Sequence, residues 1–187
     1  MHVEEKKQVI LGLGRYLELV DEEGWEYVRR VTVTGVVVIV ATTDEGALVL
    51  VEQPRTAVHR RTIELPAGLV GDLAGTSHET LETAAARELE EEAGFQASTW
   101  RRLTAGPTAV GMSSEIVTLF RATGLLRVGP GGGDDTEDIT VHVVPLPGVP
   151  AFLEEKALSG ALIDPKIFAG LYFVHAEGRD GDLIETP

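Results

Sequence analysis

Apolar and polar positions divide the chain into a series of short extended segments and three helical ones. "RYLELV" (15–20) alternates, "DEEG" (21–24) supplies a turn, and "WEYVRRVTV" (25–33) continues as strand. The unbroken apolar run "GVVVIVAT" (35–42) reads as a strand buried on both faces. "ALVLVEQ" (47–53) reads as its return across the turn "TDEG", so that 35–53 is expected to form a hairpin. "TIELPAG" (62–68) is a short strand halted by Pro66 and Gly68, and the polar, glycine-rich "LVGDLAGTSH" (69–78) follows as a loop. Over 79–93 the period changes. Leu81, Ala85 and Leu89 recur every four residues, the buried stripe of a helix, with Ser77 as its expected N-cap and Gly94 as its stop. Two further strands, "IVTLFRATGL" (116–125) and "ITVHVVPL" (139–146), flank the flexible "GPGGGDDTED" (129–138). Pro150 is expected to open a helix over 151–158, and Asp164-Pro165 to cap another over 166–173. No internal repeat and no long linker appear. The expected organisation is an N-terminal strand segment, 1–34, a main domain, 35–175, and a tail, 176–187.

Composition narrows the class. The chain has 187 residues, 43% hydrophobic and 25% charged, which describes a globular chain with one good core. It has no cysteine, so disulfides and thiolate metal sites are excluded, and a reducing compartment suits it. There is no signal-peptide core near the start, and the run 36–41 is far too short to span a bilayer, so a cytoplasmic protein is expected. The formal net charge of −14 repels nucleic acid and anionic lipid surfaces, so neither is expected as a partner. It also repels a phosphorylated small molecule unless cations neutralise the site.

Where the acids stand matters more than their sum. "AARELEEEAGF" (85–95) crowds Glu88, Glu90, Glu91 and Glu92 onto one helix, where like charges three or four apart repel by roughly 0.2–0.5 kcal/mol per pair. Glu88 and Glu92 lie one turn apart on one face, Glu91 flanks them, and this face is offset from the Leu81–Ala85–Leu89 stripe. One side of the helix can therefore be buried while another presents carboxylates. Oxygen ligands of this kind favour hard divalent ions, Mg2+ or Mn2+, and such an ion would remove the repulsion. The plain alternative is a solvated acidic face.

The same residues resemble the signature of the Nudix hydrolases. Glu79 is followed by seven residues, then Arg87-Glu88, Leu89, Glu90, Glu91-Glu92, Ala93, Gly94 and Phe95. The opening glycine of the signature, Gly68 in "ELPAG", is separated from Glu79 by ten residues where the family has five, so "GDLAG" reads as part of a loop insertion. "VLVEQPR", "IELPAG", "TEDITVHVV" and "SGALIDPKIFAGL" are similar to segments of the ADP-ribose pyrophosphatase branch and extend the resemblance over most of 25–172.

The resemblance implies an α/β Nudix fold: a mixed β-sheet between helices, with an added N-terminal strand layer. It implies a metal site of Glu88, Glu91 and Glu92 with the backbone carbonyl of Ala67, and an orienting ion pair of Glu79 with Arg87. Glu137, in the acidic loop, aligns with the branch's loop glutamate and is the expected general base, with Asp135 second; the bland reading of that loop is an acidic turn. Glu115 is a rival base or outer metal ligand, or a surface residue at a strand start. Arg55 is expected against the substrate phosphates, with Glu64 and Gly68 also on the substrate side. Arg29 and Arg30 are expected to reach a neighbouring subunit's site, because this branch commonly exchanges N-terminal strands in a homodimer. Trp25 and Tyr27 could stack on a base or simply pack. His59, His78 and His142 show no metal-ligand spacing.

The implied reaction is metal-dependent hydrolysis of the pyrophosphate bond of a nucleoside diphosphate sugar, ADP-ribose foremost, giving AMP and ribose 5-phosphate. A proline about sixteen residues after the last glycine of the signature usually accompanies ADP-ribose enzymes. Here Val110 holds that position and Pro107 precedes it, so GDP-mannose or another nucleoside diphosphate derivative stays open. Two readings of other classes stand beside it: a catalytically silent nucleotide-binding module, and an acidic calcium binder. The acidic loop lacks the regular EF-hand spacing and central glycine that the second would need.

Overall fold

A computed structural model of the chain describes residues 7–71, 78–133 and 136–177. The N-terminal segment is an antiparallel three-stranded sheet of β1 (Gln8–Leu13), β2 (Leu17–Glu22) and β3 (Trp25–Arg30). Glu23 and Gly24 turn β2 into β3, both with positive φ, which suits the right-handed twist of a tight hairpin.

Eight more strands form two four-stranded sheets. One has the order β7 (Ala67–Val70), β4 (Gly35–Ala41), β9 (Ile116–Arg127), β8 (Phe95–Pro107). The other has the order β10 (Thr140–Pro145), β5 (Ala47–Arg55), β6 (Arg60–Glu64), β11 (Leu162–Ile163). Each sheet contains one parallel pair, β4 with β9 and β6 with β11, so both are mixed. Helix α1 (Leu81–Ala93) packs on the first sheet. Helices α2 (Val149–Leu158) and α3 (Lys166–Glu177) cover the other side. The expected α/β layering is present, with its strands shared between two sheets rather than one.

Strand β4 explains the layering. Val37, Ile39 and Ala41 point into one core cluster with Ala84, Ala85 and Leu89 of α1. Val38 and Val40 point into another with Leu48, Leu50, Ile63, Val149 and Ile167. An uninterrupted apolar run is what a strand buried on both faces requires.

The expected 35–53 hairpin is not formed. β4 pairs with β7 and β9, β5 pairs with β6 and β10, and only the isolated bridge Thr42–Leu48 links the two. Two unbroken apolar runs carry no alternation to set a shared register, and each strand finds hydrogen-bonding partners on both its edges elsewhere. The strand read over 62–68 is divided: β6 ends at Glu64, and after Leu65 and Pro66 the chain joins the other sheet as β7.

Helix α1 begins two residues later than expected. Its N-cap is Thr80, whose hydroxyl accepts the Thr83 N–H at 3.2 Å, while Ser77 lies outside the described residues. Gly94 ends it with φ +74°. The segment read as flexible after β9 is tied to this end. Gly133 N–H donates to the Glu91 carbonyl and Gly132 N–H to that of Glu92, while Val128 N–H donates to the Gly94 carbonyl. These bonds satisfy carbonyls that a helix end otherwise leaves unpaired.

Candidate active site

The carboxylate face of α1 looks toward β7 and β5. Glu88 and Glu92 are buried, although charged side chains rarely are. Glu92 Oε2 accepts the Ala67 N–H at 2.9 Å, and Gln53 Nε2 lies 3.5 Å from Glu92 Oε1. The Glu88 carboxyl lies against Gly68, where a Cβ would come within 1.9 Å of Glu88 Cδ; only glycine leaves room for it. Glu91 is one position round the helix and exposed.

Arg87 organises this face. It bonds Glu79 Oε1 at 3.1 Å, Glu88 Oε1 at 2.7 Å, Glu91 Oε2 at 3.0 Å and the Leu69 carbonyl at 3.0 Å. The bond from Arg87 holds the Glu79 carboxyl below its usual range. Arg87 therefore ties the helix both to the segment before it and to β7.

Above the helix lies a cleft of about 710 Å³ whose walls come from all three sheets and from the start of α3. Arg55 of β5 makes a bidentate pair with Glu64 of β6, at 2.7 and 2.6 Å. Arg30 of β3 bonds Glu115 at 2.6 Å on another wall. Asp164 and Lys166 form a third pair, with Asp164 Oδ1 accepting the Lys166 N–H as the cap of α3. Glu137 also lines the cleft, as do Ala67 and Gly68. Three cationic side chains, Arg30, Arg55 and Lys166, thus face six carboxylates: Glu64, Glu88, Glu92, Glu115, Glu137 and Asp164.

Arg29 does not line this cleft. It bonds Glu18 at 2.5 Å within the N-terminal sheet and borders a smaller hollow of about 240 Å³ beside Arg30 and Glu115. Trp25 is exposed and the Tyr27 hydroxyl bonds Glu22. Pro107 ends β8, and Val110 lies exposed in the turn beyond it. His142 bonds Glu52 rather than joining a ligand set, and Asp135 lies outside the described residues. Gln53, Thr62, Asp164 and Lys166 reach the cleft without having been singled out for it. The only signals were the position of Gln53 two residues before Arg55 and the cap role of Asp164.

The electrostatics favour a cation. Burial, reinforced by the charges of Glu88 and Glu137, pushes the Glu92 carboxyl up to about 8, against the pull of the Ala67 N–H and of Arg55. The donors are all hard oxygens, which suits Mg2+, Mn2+ or a similar divalent ion. Among the described residues no three carboxylate or imidazole side chains converge closely enough to hold an ion as they stand. Arg87 engages Glu88 and Glu91, so two of the carboxylates whose chemistry suits such an ion are held here by the guanidinium.

Signature, fold and buried carboxylates have one source: residues 31–160 match the NUDIX domain model, and the chain belongs to that family. It is 42% identical over 143 residues to an ADP-ribose pyrophosphatase of Mycobacterium tuberculosis (strain ATCC 25618 / H37Rv), covering 76% of this chain and 65% of that protein. It is 36% identical over 121 residues to an ADP-ribose pyrophosphatase of Bacillus subtilis (strain 168), covering 63% of each. The chain thus matches just under two-thirds of the length of these curated relatives. Its fold is similar to a solved structure described as an ADP compounds hydrolase, with a TM-score of 0.70 at 23% identity, covering 93% of this chain and 94% of that one.

Proposed function

We propose that this chain hydrolyses the pyrophosphate bond of a nucleoside diphosphate sugar, ADP-ribose foremost, releasing AMP and ribose 5-phosphate. The observation that carries the reading is the pair Glu88 and Glu92, buried at the floor of a large cleft whose acids outnumber its cations. A diphosphate cannot settle in such a cleft without divalent cations to reverse the balance. Two relatives named as ADP-ribose pyrophosphatases support the choice of substrate.

Glu88 and Glu92, with Glu91 and the Ala67 carbonyl, would hold Mg2+ or Mn2+. When bound, the ion supplies Lewis-acid neutralisation of the diphosphate and makes water more acidic. The residues of the chain do the rest. Arg87 orients the helix and Gly68 leaves space for Glu88. Arg55, half-exposed and held by Glu64, is placed to bond a phosphate through its free edge. Glu137 is the proton acceptor for the attacking water: it lines the cleft and its charge is felt at Glu92. Glu115 is the second candidate, and its pairing with Arg30 suits a fixed wall better than a proton carrier. Residues 1–34 serve as a dimerising strand segment beside a catalytic domain that begins at 35 and runs past the expected 175 to the end of α3, where Glu177 accepts a bond from Arg121 of β9. Arg30 serves the cleft of its own copy rather than a neighbour's, through its bond to Glu115, and Arg29 of one copy is left to reach toward the site of the other. The cytoplasm is the expected compartment, and no helix among the described residues is long and apolar enough to cross a membrane.

The test is a panel of ADP-ribose, GDP-mannose and other nucleoside diphosphate derivatives, incubated with Mg2+ or Mn2+ and resolved by chromatography. AMP and ribose 5-phosphate from ADP-ribose, made faster than products of the other compounds, is the expected result. Preferred cleavage of GDP-mannose would change the substrate. Nucleotide binding without turnover under either metal would replace the enzyme with a silent binding module.

A further inference from the structure

Glu137 sits in a segment that is fastened on both sides, and one of the fasteners is an arginine outside the cleft. Upstream, Gly132 and Gly133 are bonded to the end of α1 through the carbonyls of Glu92 and Glu91, at 2.8 and 3.0 Å. Downstream, β10 begins at Thr140, paired with Glu52 of β5. Between that strand and Glu137 stands Asp138, and Arg61 of β6 grips it twice. Arg61 Nη1 donates to Asp138 Oδ2 at 2.6 Å, and Nη2 donates to the Asp138 carbonyl at 3.2 Å.

The guanidinium is itself fixed from behind. Its Nε donates to Glu52 Oε1 at 2.9 Å and Nη2 also donates to the Glu52 carbonyl at 3.0 Å. Glu52 in turn accepts from Lys156 of α2 at 2.6 Å and bonds His142 of β10 at 2.9 Å. The anchor therefore draws on β5, β6, β10 and α2 together.

We propose that Arg61, held by Glu52, is a positioning residue for Glu137: it extends the ordered backbone of β10 back to the neighbour of the base and so sets where that carboxylate enters the cleft. The proposal rests on the pyrophosphatase reading and adds to it a residue that touches neither substrate nor ion. The Asp138 side chain is 72% exposed, and an exposed ion pair adds little stability. A planar fork that meets a carboxylate and a carbonyl at once constrains direction far more than it adds energy. The effect belongs in the rate, not in the folding.

The experiment is a double-mutant cycle with an independent structural readout. Arg61→Ala should lower kcat by about 10- to 100-fold, the scale expected for a misplaced catalytic group, with KM changed less than about twofold. Made in a Glu137→Gln background, the same change should cost less than about threefold, because the residue it positions is already silent. Asp138→Ala removes the side-chain half of the grip and leaves the bond to the carbonyl, so it should reproduce part of the loss without touching the sheet. Arg61→Lys, which keeps the charge and loses the fork, should recover only part of the rate. Hydrogen–deuterium exchange should quicken at 136–139 in Arg61→Ala and stay unchanged over α1. Equal losses in both backgrounds, or unaltered exchange at 136–139, would overturn the proposal. If the wild-type chain releases no product from the substrate panel, the pyrophosphatase reading falls, and the exchange result still decides whether Arg61 holds the segment.

Discussion

Glu92 is the residue whose chemistry is most displaced from the ordinary. Burial comes first, and Glu88 and Glu137 add to it, so the carboxyl titrates near 8 instead of 4.5 when no metal is bound. A folded-state value raised above the unfolded one contributes stability that is fully present below about pH 4.5 and is lost as pH rises through about 8. The metal-free protein should therefore lose on the order of 2–4 kcal/mol between pH 5 and pH 8.5 relative to Glu92→Gln, as measured by urea unfolding. Mn2+ should restore stability to the wild type and not to the variant. Parallel pH profiles for the two proteins would contradict this. Gly68 offers a second residue-scale check. Gly68→Ala drives a methyl into the Glu88 carboxyl, so turnover should fall by at least about tenfold for a displaced ligand, while the far-ultraviolet spectrum stays native. These residues were legible because the helix period and the signature spacing name them directly. Arg61, Asp164 and Lys166 were not, since their roles arise from partners that only the fold brings close: Asp138 stands 77 positions from Arg61.

Among elements, α1 was the easiest to read and β8 the hardest. The helix carries a four-residue apolar repeat with a glycine stop, and both survive in the structure. β8 runs thirteen residues at a sheet edge, with a bulge between Arg102 and Thr104 and little alternation in its burial. An edge strand need not be apolar on either face, so nothing in its composition announced it. The glycines after β9 suggest flexibility by composition, yet they close the end of α1. Gly131, at φ +69°, lies so near that a Cβ would come within 2.5 Å of the Ala93 carbonyl carbon and 2.6 Å of the Glu92 oxygen. Gly131→Ala should therefore destabilise the fold by about 1–3 kcal/mol in chemical denaturation. An unchanged midpoint would mean that the segment does not bear on the helix.

At the scale of the whole molecule, three sheets meet around one cleft, and the N-terminal sheet reaches it through Arg30 and through β3 hydrogen bonds to the turn before β9. The outer strand of that sheet is exposed along its length: Val9, Ile10, Leu11 and Leu13 each show between 45% and 72% of their surface. Contiguous apolar exposure of this kind marks an interaction surface. Sedimentation equilibrium should find a dimer, shifted toward monomer by Ile10→Lys; a wild-type monomer would contradict the proposed assembly. On the proposed reading, the net negative charge of the cleft makes a divalent metal a requirement rather than an accessory. Its most direct test is the initial rate of ADP-ribose cleavage against Mg2+ concentration, measured for the wild type and for Glu92→Gln. The account predicts a rate that rises from near zero to saturation with Mg2+ in the wild type, and falls by at least about 100-fold at every concentration in the variant. Metal-independent turnover, or a variant as fast as the wild type, would contradict it.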